Sequence, residues 1–356
     1  MPAIPSYLAS YFTTKEEVKP PPISTGTAAA LLILYTLIYV IPFYLSPLTR
    51  PSRSLSRDAP SVIRARVTSV SVSCIVCTAI TFLILTRSTS SFFTNSTSTK
   101  SSSSWSYASR VSGASGKDVV GRGSAAAAAL HAMGYWPVGL AETGKALLLT
   151  AILFAGPLYE SIVIEGSWRY WGRDVKKLVI GGDWVFWRNI VAGPLTEEIL
   201  FRGASIPLMR LAQTPLRTTL FLSPALFGLA HVHHFYEFRV THPHLPLSTG
   251  LIRSALQFSY TWLFGVFATF VFLRTGSLLG VSVVHAFCNV MGLPRVWGRV
   301  QFPDEEEDEG RDRKKAAVRR QRSVAWTVVY YVLLVAGAMG FYRYLWVLTE
   351  SGNGSF

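Results

Sequence analysis

Glu197 and Glu198 stand side by side in an apolar stretch, with Arg202 four residues beyond the second of them. A carboxylate inside a membrane helix is expensive to desolvate, so an adjacent pair needs partners or a water-filled cavity. On a helix, Glu198 and Arg202 share a face and form a natural ion pair, while Glu197 is turned about 100° away. That makes Glu198 the braced carboxylate and Glu197 the free one, unless all three charges simply lock helices together. His231, His233 and His234 close a second apolar run. His231 and His234 share a helical face and His233 points elsewhere, which fits an aqueous helix end, a metal site, or one imidazole for acid-base work. A third run holds His285 and Asn289 four apart, so both project into a bundle as hydrogen-bond donors. Cys288 lies between them with no thiolate-stabilising charge beside it in the sequence, and reads as a packing residue.

Three polar clusters in three apolar runs are harder to dismiss than any one of them. Glu197-Glu198-Ile199-Leu200-Phe201-Arg202, Phe227-Gly228-Leu229-Ala230-His231 and His285-Ala286-Phe287-Cys288-Asn289 occur in that order. Together they resemble the EExxxR, FxxxH and HxxxN/B signature of the ABI (CPBP) family of intramembrane glutamate proteases. The flanking Phe201-Arg202, His233-His234 and Cys288-Asn289 are similar to the eukaryotic CAAX-processing branch of that family. The likeness spans roughly Arg188 to Leu293, under a third of the chain.

The resemblance implies an endopeptidase that removes the last three residues of prenylated CAAX proteins, such as Ras-like and Rho-like GTPases. It places the enzyme in the endoplasmic reticulum membrane, with the site open to the cytosol and the prenyl chain entering between helices from the lipid. By the same likeness, Glu197 and His231 form the general base that activates water, and His285 and Asn289 stabilise the oxyanion. Glu198 and Arg202 then support the site, and neither a metal nor another cofactor is needed. The chemistry is compatible: a carboxylate in a partly dry cavity has a desolvation reason to accept a proton, and placed donors serve acyl transfer.

Two other readings stand beside this one. A zinc protease would use Glu197, His231 and His285 as ligands, although the chain has no HExxH helix and these three come from separate runs. A non-enzymatic scaffold or transporter would also place Glu and His inside a membrane. Asn289 beside His285 argues against a proton path, which would prefer titratable groups at both positions.

The elements that must position these residues follow from composition. Half of the 356 residues are hydrophobic and only 15% are charged, and the mean hydropathy is +0.33. That profile excludes a disordered or disulfide-rich chain and predicts an all-α, polytopic membrane bundle forming one domain. About eight spans are expected: Thr27 to Ser46, Val67 to Thr86, Lys145 to Ile164, a fourth capped by Asp183 and carrying the Glu pair, Thr218 to Phe235, Leu251 to Leu273, Ser277 to Leu293, and Val324 to Leu348. An N-terminal tail, 1–26, precedes the first two spans within 27–87. A Ser/Thr-rich flexible loop, 88–124, follows, with an Asn95-Ser96-Thr97 sequon. The catalytic core is 125–293 and opens with an interfacial helix from Ala125 to Leu140. Residues 294–323 form an acidic-basic loop, 324–348 the final span, and 349–356 the C-terminal tail.

The net charge of +14 sits mainly in loops, which favours topology signals and anionic lipid over nucleic acid. If the Arg50 to Arg66 loop is cytosolic, eight alternating spans also place Arg169 to Lys177 and Arg311 to Arg322 in the cytosol. Cys74 and Cys77 form a CxxC within a span and read as helix packing. One tension remains: a fourth span entering lipid at Trp184 would put Glu197 about 20 Å deep, while His231 lies near the cytosolic end of its helix. Arg188 and Asn189 suggest that the first turns of the fourth span project beyond the lipid, which brings Glu197 to about 12 Å, and tilt supplies the rest. Glu160 and Glu165 have no role assigned by this reading.

Overall fold

The computed structural model describes residues 20–95, 122–173, 176, 183–300 and 324–355, and the described residues are helical with no strand. The acidic and basic runs between 304 and 323, and 96–121 of the Ser/Thr-rich stretch, lie outside these residues. Among the described residues, the helical segments alternate between two ends of one bundle. At one end Arg188 meets Asp58 at 2.8 Å, Arg57 meets Glu237 at 3.1 Å, and Arg64 lies over the ring of Trp184. At the other end Ser351 and Asn353 both donate to Oε1 of Glu142, and Arg274 donates to the Trp346 carbonyl.

Among the described residues, four helices are long and apolar enough to cross a membrane: Thr25–Leu45, Pro60–Ser88, Leu247–Thr275 and Ala325–Leu348. A fifth candidate, Leu140–Leu153 with Ala155–Ile164, bends by 82° at its break, where a single span is expected from the sequence. The second helix also runs on to Asn95, so the start of the Ser/Thr-rich stretch is helical. The three remaining segments, 184–211, 216–230 and 278–291, are interrupted or short, and they carry the three polar clusters. Backbone irregularity and charge are tolerated at membrane depth where neighbouring helices cover them.

The segment 184–211 shows why it is irregular. Asp183 caps its start by accepting from the Phe186 N–H at 2.9 Å, as expected. Pro194 has no N–H to give, and the backbone widens before it: Arg188–Ala192 is a π-helical turn in which Gly193 bonds back to the Arg188 carbonyl. A second π-turn, Ile199–Ala204, precedes Pro207, and the Ser205 hydroxyl donates to the Leu200 carbonyl at 2.8 Å. Glu197 and Glu198 end the short α-helical piece between the two turns.

Packing then fixes this rod. Leu200, Phe201, Ala204, Leu208 and Met209 bury against Tyr35 and Tyr39 of the first helix and against Cys74 and Cys77 of the second. Within lipid such contacts rest on close van der Waals fit rather than on water exclusion. Gly265 illustrates the fit: a Cβ there would meet Pro224 at 2.8 Å, so the helix behind the His231 segment approaches only because this residue is small. Both cysteines of the CxxC are free and buried, consistent with packing.

Candidate active site

Glu198 is completely buried, and its Oε1 is the centre of the site. It accepts from Nη1 of Arg202 at 3.0 Å, the i,i+4 pair expected from spacing, and lies 2.7 Å from Nδ1 of His285. Arg202 is 1% exposed, donates to the Gly265 carbonyl at 3.2 Å, and lies over the rings of Phe227 and Phe264. Desolvating two charges is unfavourable unless geometry and further hydrogen bonds repay it; here the carbonyl, the imidazole and two aromatic faces offset part of the cost, while Oε2 of Glu198 and Nε of Arg202 have no hydrogen-bond partner among the described residues.

Glu197 differs from its neighbour. Its side chain is 21% exposed and makes no hydrogen bond among the described residues, with His285 Nε2 standing 3.9 Å from its Oε2. His285 is thus held between the two carboxylates, Nδ1 toward Glu198 and Nε2 toward Glu197. The residue just before the pair is anchored three ways: the Thr196 hydroxyl donates to the Ala192 carbonyl, lies 3.2 Å from the Tyr39 hydroxyl, and the Thr196 carbonyl accepts from Cys74.

His231 sits where the helix Leu216–Ala230 ends, with Nδ1 2.8 Å from the Phe227 carbonyl. Its ring stands edge-on to Phe227 at 4.9 Å, and the opposite neighbour of Phe227 is His285 at 6.4 Å. Phe227 is therefore in contact with both imidazoles, and Glu197 lies within electrostatic reach of His231. The helix stops and a new one, His233–Thr241, begins. His231 and His234 remain ring neighbours as expected, at 6.0 Å, while His233, expected to point elsewhere, packs against His234 at 4.0 Å.

Asn289 follows His285 by one turn and is exposed. Its Nδ2 donates to the Asn189 carbonyl at 2.8 Å, tying the third motif to the π-turn that precedes the glutamates and leaving its second N–H for another acceptor. Cys288 packs beside Ala146, Val271 and Val284, in keeping with its reading as a packing residue. Among the described residues no three His, Cys, Asp or Glu side chains converge as a metal set.

The depth problem is eased by Arg188, which pairs with the half-exposed Asp58. The start of the rod therefore lies among polar loop residues. Two carboxylates that spacing did not explain also find partners. Glu160 accepts from Nε and Nη2 of Arg295 at 3.1 and 2.8 Å, and Glu165 accepts from Ser167.

Sequence reasoning passed over Glu237. This 4% exposed carboxylate pairs with His234, Arg57 and Arg66, stapling the basic loop to the helix that follows His231. Burial alone would raise its pKa, but the His234 hydrogen bond and the two guanidinium groups hold it well below the ordinary carboxylate range. The i,i+3 spacing of His234 and Glu237 was the available signal.

Comparison with known proteins agrees with this geometry. A family profile described as type II CAAX prenyl endopeptidase, Rce1-like, matches residues 182–291, the stretch holding all three motifs. A Schizosaccharomyces pombe protein named "Probable CAAX prenyl protease 2" is 32% identical over 319 residues, covering 90% of this chain and 92% of that one. The CAAX prenyl protease 2 proteins of Arabidopsis thaliana and Homo sapiens are 37% and 34% identical over 42% and 44% of this chain, and 52% and 49% of their own. No solved structure matches.

Proposed function

This chain belongs to the Rce1-like family of type II CAAX prenyl endopeptidases, and from that premise we propose that Glu197 and His231 activate the attacking water while His285 and Asn289 hold the oxyanion. The protein is a multi-pass membrane protease acting on prenylated CAAX proteins. Glu197 takes a proton from water as its oxygen attacks the carbonyl of the prenylated cysteine. His231, with Nδ1 committed to the Phe227 carbonyl, orients that water through Nε2. When the tetrahedral intermediate collapses, the C–N bond breaks and Glu197 passes the proton to the leaving amine. The products are a new cysteine carboxylate and the aaX tripeptide.

The observation that carries this reading is the placement of His285 between a buried, ion-paired Glu198 and a free Glu197. In this reading Nδ1 is held by Glu198, which leaves Nε2 on the side of Glu197 to face the oxyanion. Asn289 contributes the N–H that Asn189 does not use. Glu198 and Arg202 act on the ring and the rod, not on substrate. The mechanism needs no metal, since each proton step has a protein group.

The location follows from charge. The catalytic residues cluster at the bundle end that carries the basic loop, so the positive-inside rule supports a cytosolic opening. In this reading the enzyme resides in the endoplasmic reticulum membrane, takes Ras-like and Rho-like GTPases, and admits the prenyl chain between helices from the lipid. The test is release of aaX from a farnesylated CAAX peptide by the purified protein in nanodiscs. Cleavage restricted to the prenylated peptide supports the reading, and equal cleavage of the unprenylated peptide contradicts it.

A further inference from the structure

An enzyme that removes a tripeptide must locate the chain terminus as well as the scissile bond, and the terminus of its substrate is a free carboxylate. A cation able to hold one lies in the loop joining the first two helices. Most of its arginines, and those facing it, are already committed. Arg57 and Arg66 pair with Glu237, Arg188 pairs with Asp58, and Nε of Arg53 donates to the Val240 carbonyl. Arg50 is exposed and has no acidic partner among the described residues. With Tyr44, Pro51 and Tyr236 it lines an open pocket.

That pocket adjoins the catalytic end. The Tyr44 hydroxyl donates to the His233 carbonyl at 3.3 Å, and its ring meets Tyr236 at 5.8 Å. Ring centroids step 6.0 Å from His231 to His234, 4.0 Å to His233 and 6.2 Å to Tyr44. These steps trace a winding path from the catalytic end to the pocket; three extended residues span about 10 Å of it, and the Arg50 side chain reaches toward them from the pocket.

We infer that Arg50, in the pocket with Tyr44 and Tyr236, binds the C-terminal carboxylate of the CAAX substrate and so helps register the cleavage three residues from the end. The guanidinium supplies a forked pair of N–H donors that matches a carboxylate, and the two tyrosine rings wall the side chain of the terminal residue. The inference rests on the protease reading above and assigns it a specificity residue.

The test uses two farnesylated CAAX peptides, one with a free terminal carboxylate and one with a terminal amide, and full-length protein in neutral phosphatidylcholine nanodiscs. The wild type is expected to show a KM lower by about tenfold or more for the acid, the scale of a charge-assisted hydrogen bond. Arg50→Ala should raise the acid KM to the amide value with kcat little changed, Arg50→Lys should recover part of the difference, and Arg53→Ala should behave as wild type. An unchanged acid-to-amide ratio in Arg50→Ala overturns the inference while leaving the protease reading intact. An Arg50 effect that appears only with added anionic lipid, equal for both peptides, also overturns it and assigns the pocket to a headgroup. No release from either peptide by wild type overturns the protease reading and this inference together.

Discussion

His285 Nδ1 lies 2.7 Å from Oε1 of Glu198, a carboxylate with no solvent exposure. The second glutamate of the motif therefore acts on the imidazole as well as on Arg202. Glu198→Gln keeps the shape and removes the charge, so His285 loses its carboxylate partner and Arg202 is left as a buried cation without a counterion. Turnover is expected to fall by about 10²-fold, the scale of a lost oxyanion donor. Stability should drop by roughly 3 kcal/mol, as for a broken buried pair. Because Glu198 does not touch substrate, KM should move little; kcat, KM and thermal unfolding measured on one preparation separate these effects.

Glu237 predicts an acid-dependent stability. Burial opposes its charge, but His234, Arg66 and Arg57 overcome that opposition and lower its folded pKa. A depressed carboxylate contributes stability that is complete above the unfolded value of about 4.3 and is lost as pH falls through the folded value. Glu237→Gln should melt well below wild type at pH 7, and the gap should narrow steadily below pH 4. A gap that stays constant across that range contradicts the assignment.

Cys288 is a packing residue between two site residues. Cys288→Ala should cost about 1 kcal/mol of stability and leave peptide cleavage near the wild-type rate. Loss of turnover in a normally folded variant would instead make the thiol part of the chemistry.

The metal-free mechanism is checked by exhaustive chelation. Activity should survive it and should not rise on adding zinc; full loss restored by zinc alone would return Glu197, His231 and His285 to the role of ligands.

Much of this site was legible because its pairs are local in sequence. Glu198 with Arg202 is an i,i+4 relation, Asp183 precedes its helix as a cap, and an isolated carboxylate in an apolar run is conspicuous by cost alone. The partnership of His285 with Glu198 joins residues 87 positions apart, and nothing in the spacing of either motif announces it. The regular helix assumed for the glutamate segment was also too simple, because Pro194 and Pro207 follow π-turns whose extra residues rotate what comes after. The same is true of the histidine cluster, where the chain turns at His231 and brings His233 against His234, a contact that an unbroken helix would not make. A polytopic helical bundle was readable from hydropathy and charge. Of the eight spans expected, only four are long apolar helices among the described residues, with a fifth candidate bent by 82°, because the site-bearing segments are short or interrupted.

The most direct measurement is turnover of a farnesylated CAAX peptide by Glu197→Ala and His231→Ala beside wild type, with thermal unfolding recorded on the same samples. The account predicts tripeptide release by wild type, its loss in both variants, and melting temperatures close to wild type for Glu197→Ala, whose side chain makes no hydrogen bond among the described residues. Sustained cleavage by folded Glu197→Ala would contradict the central claim that this carboxylate is the base.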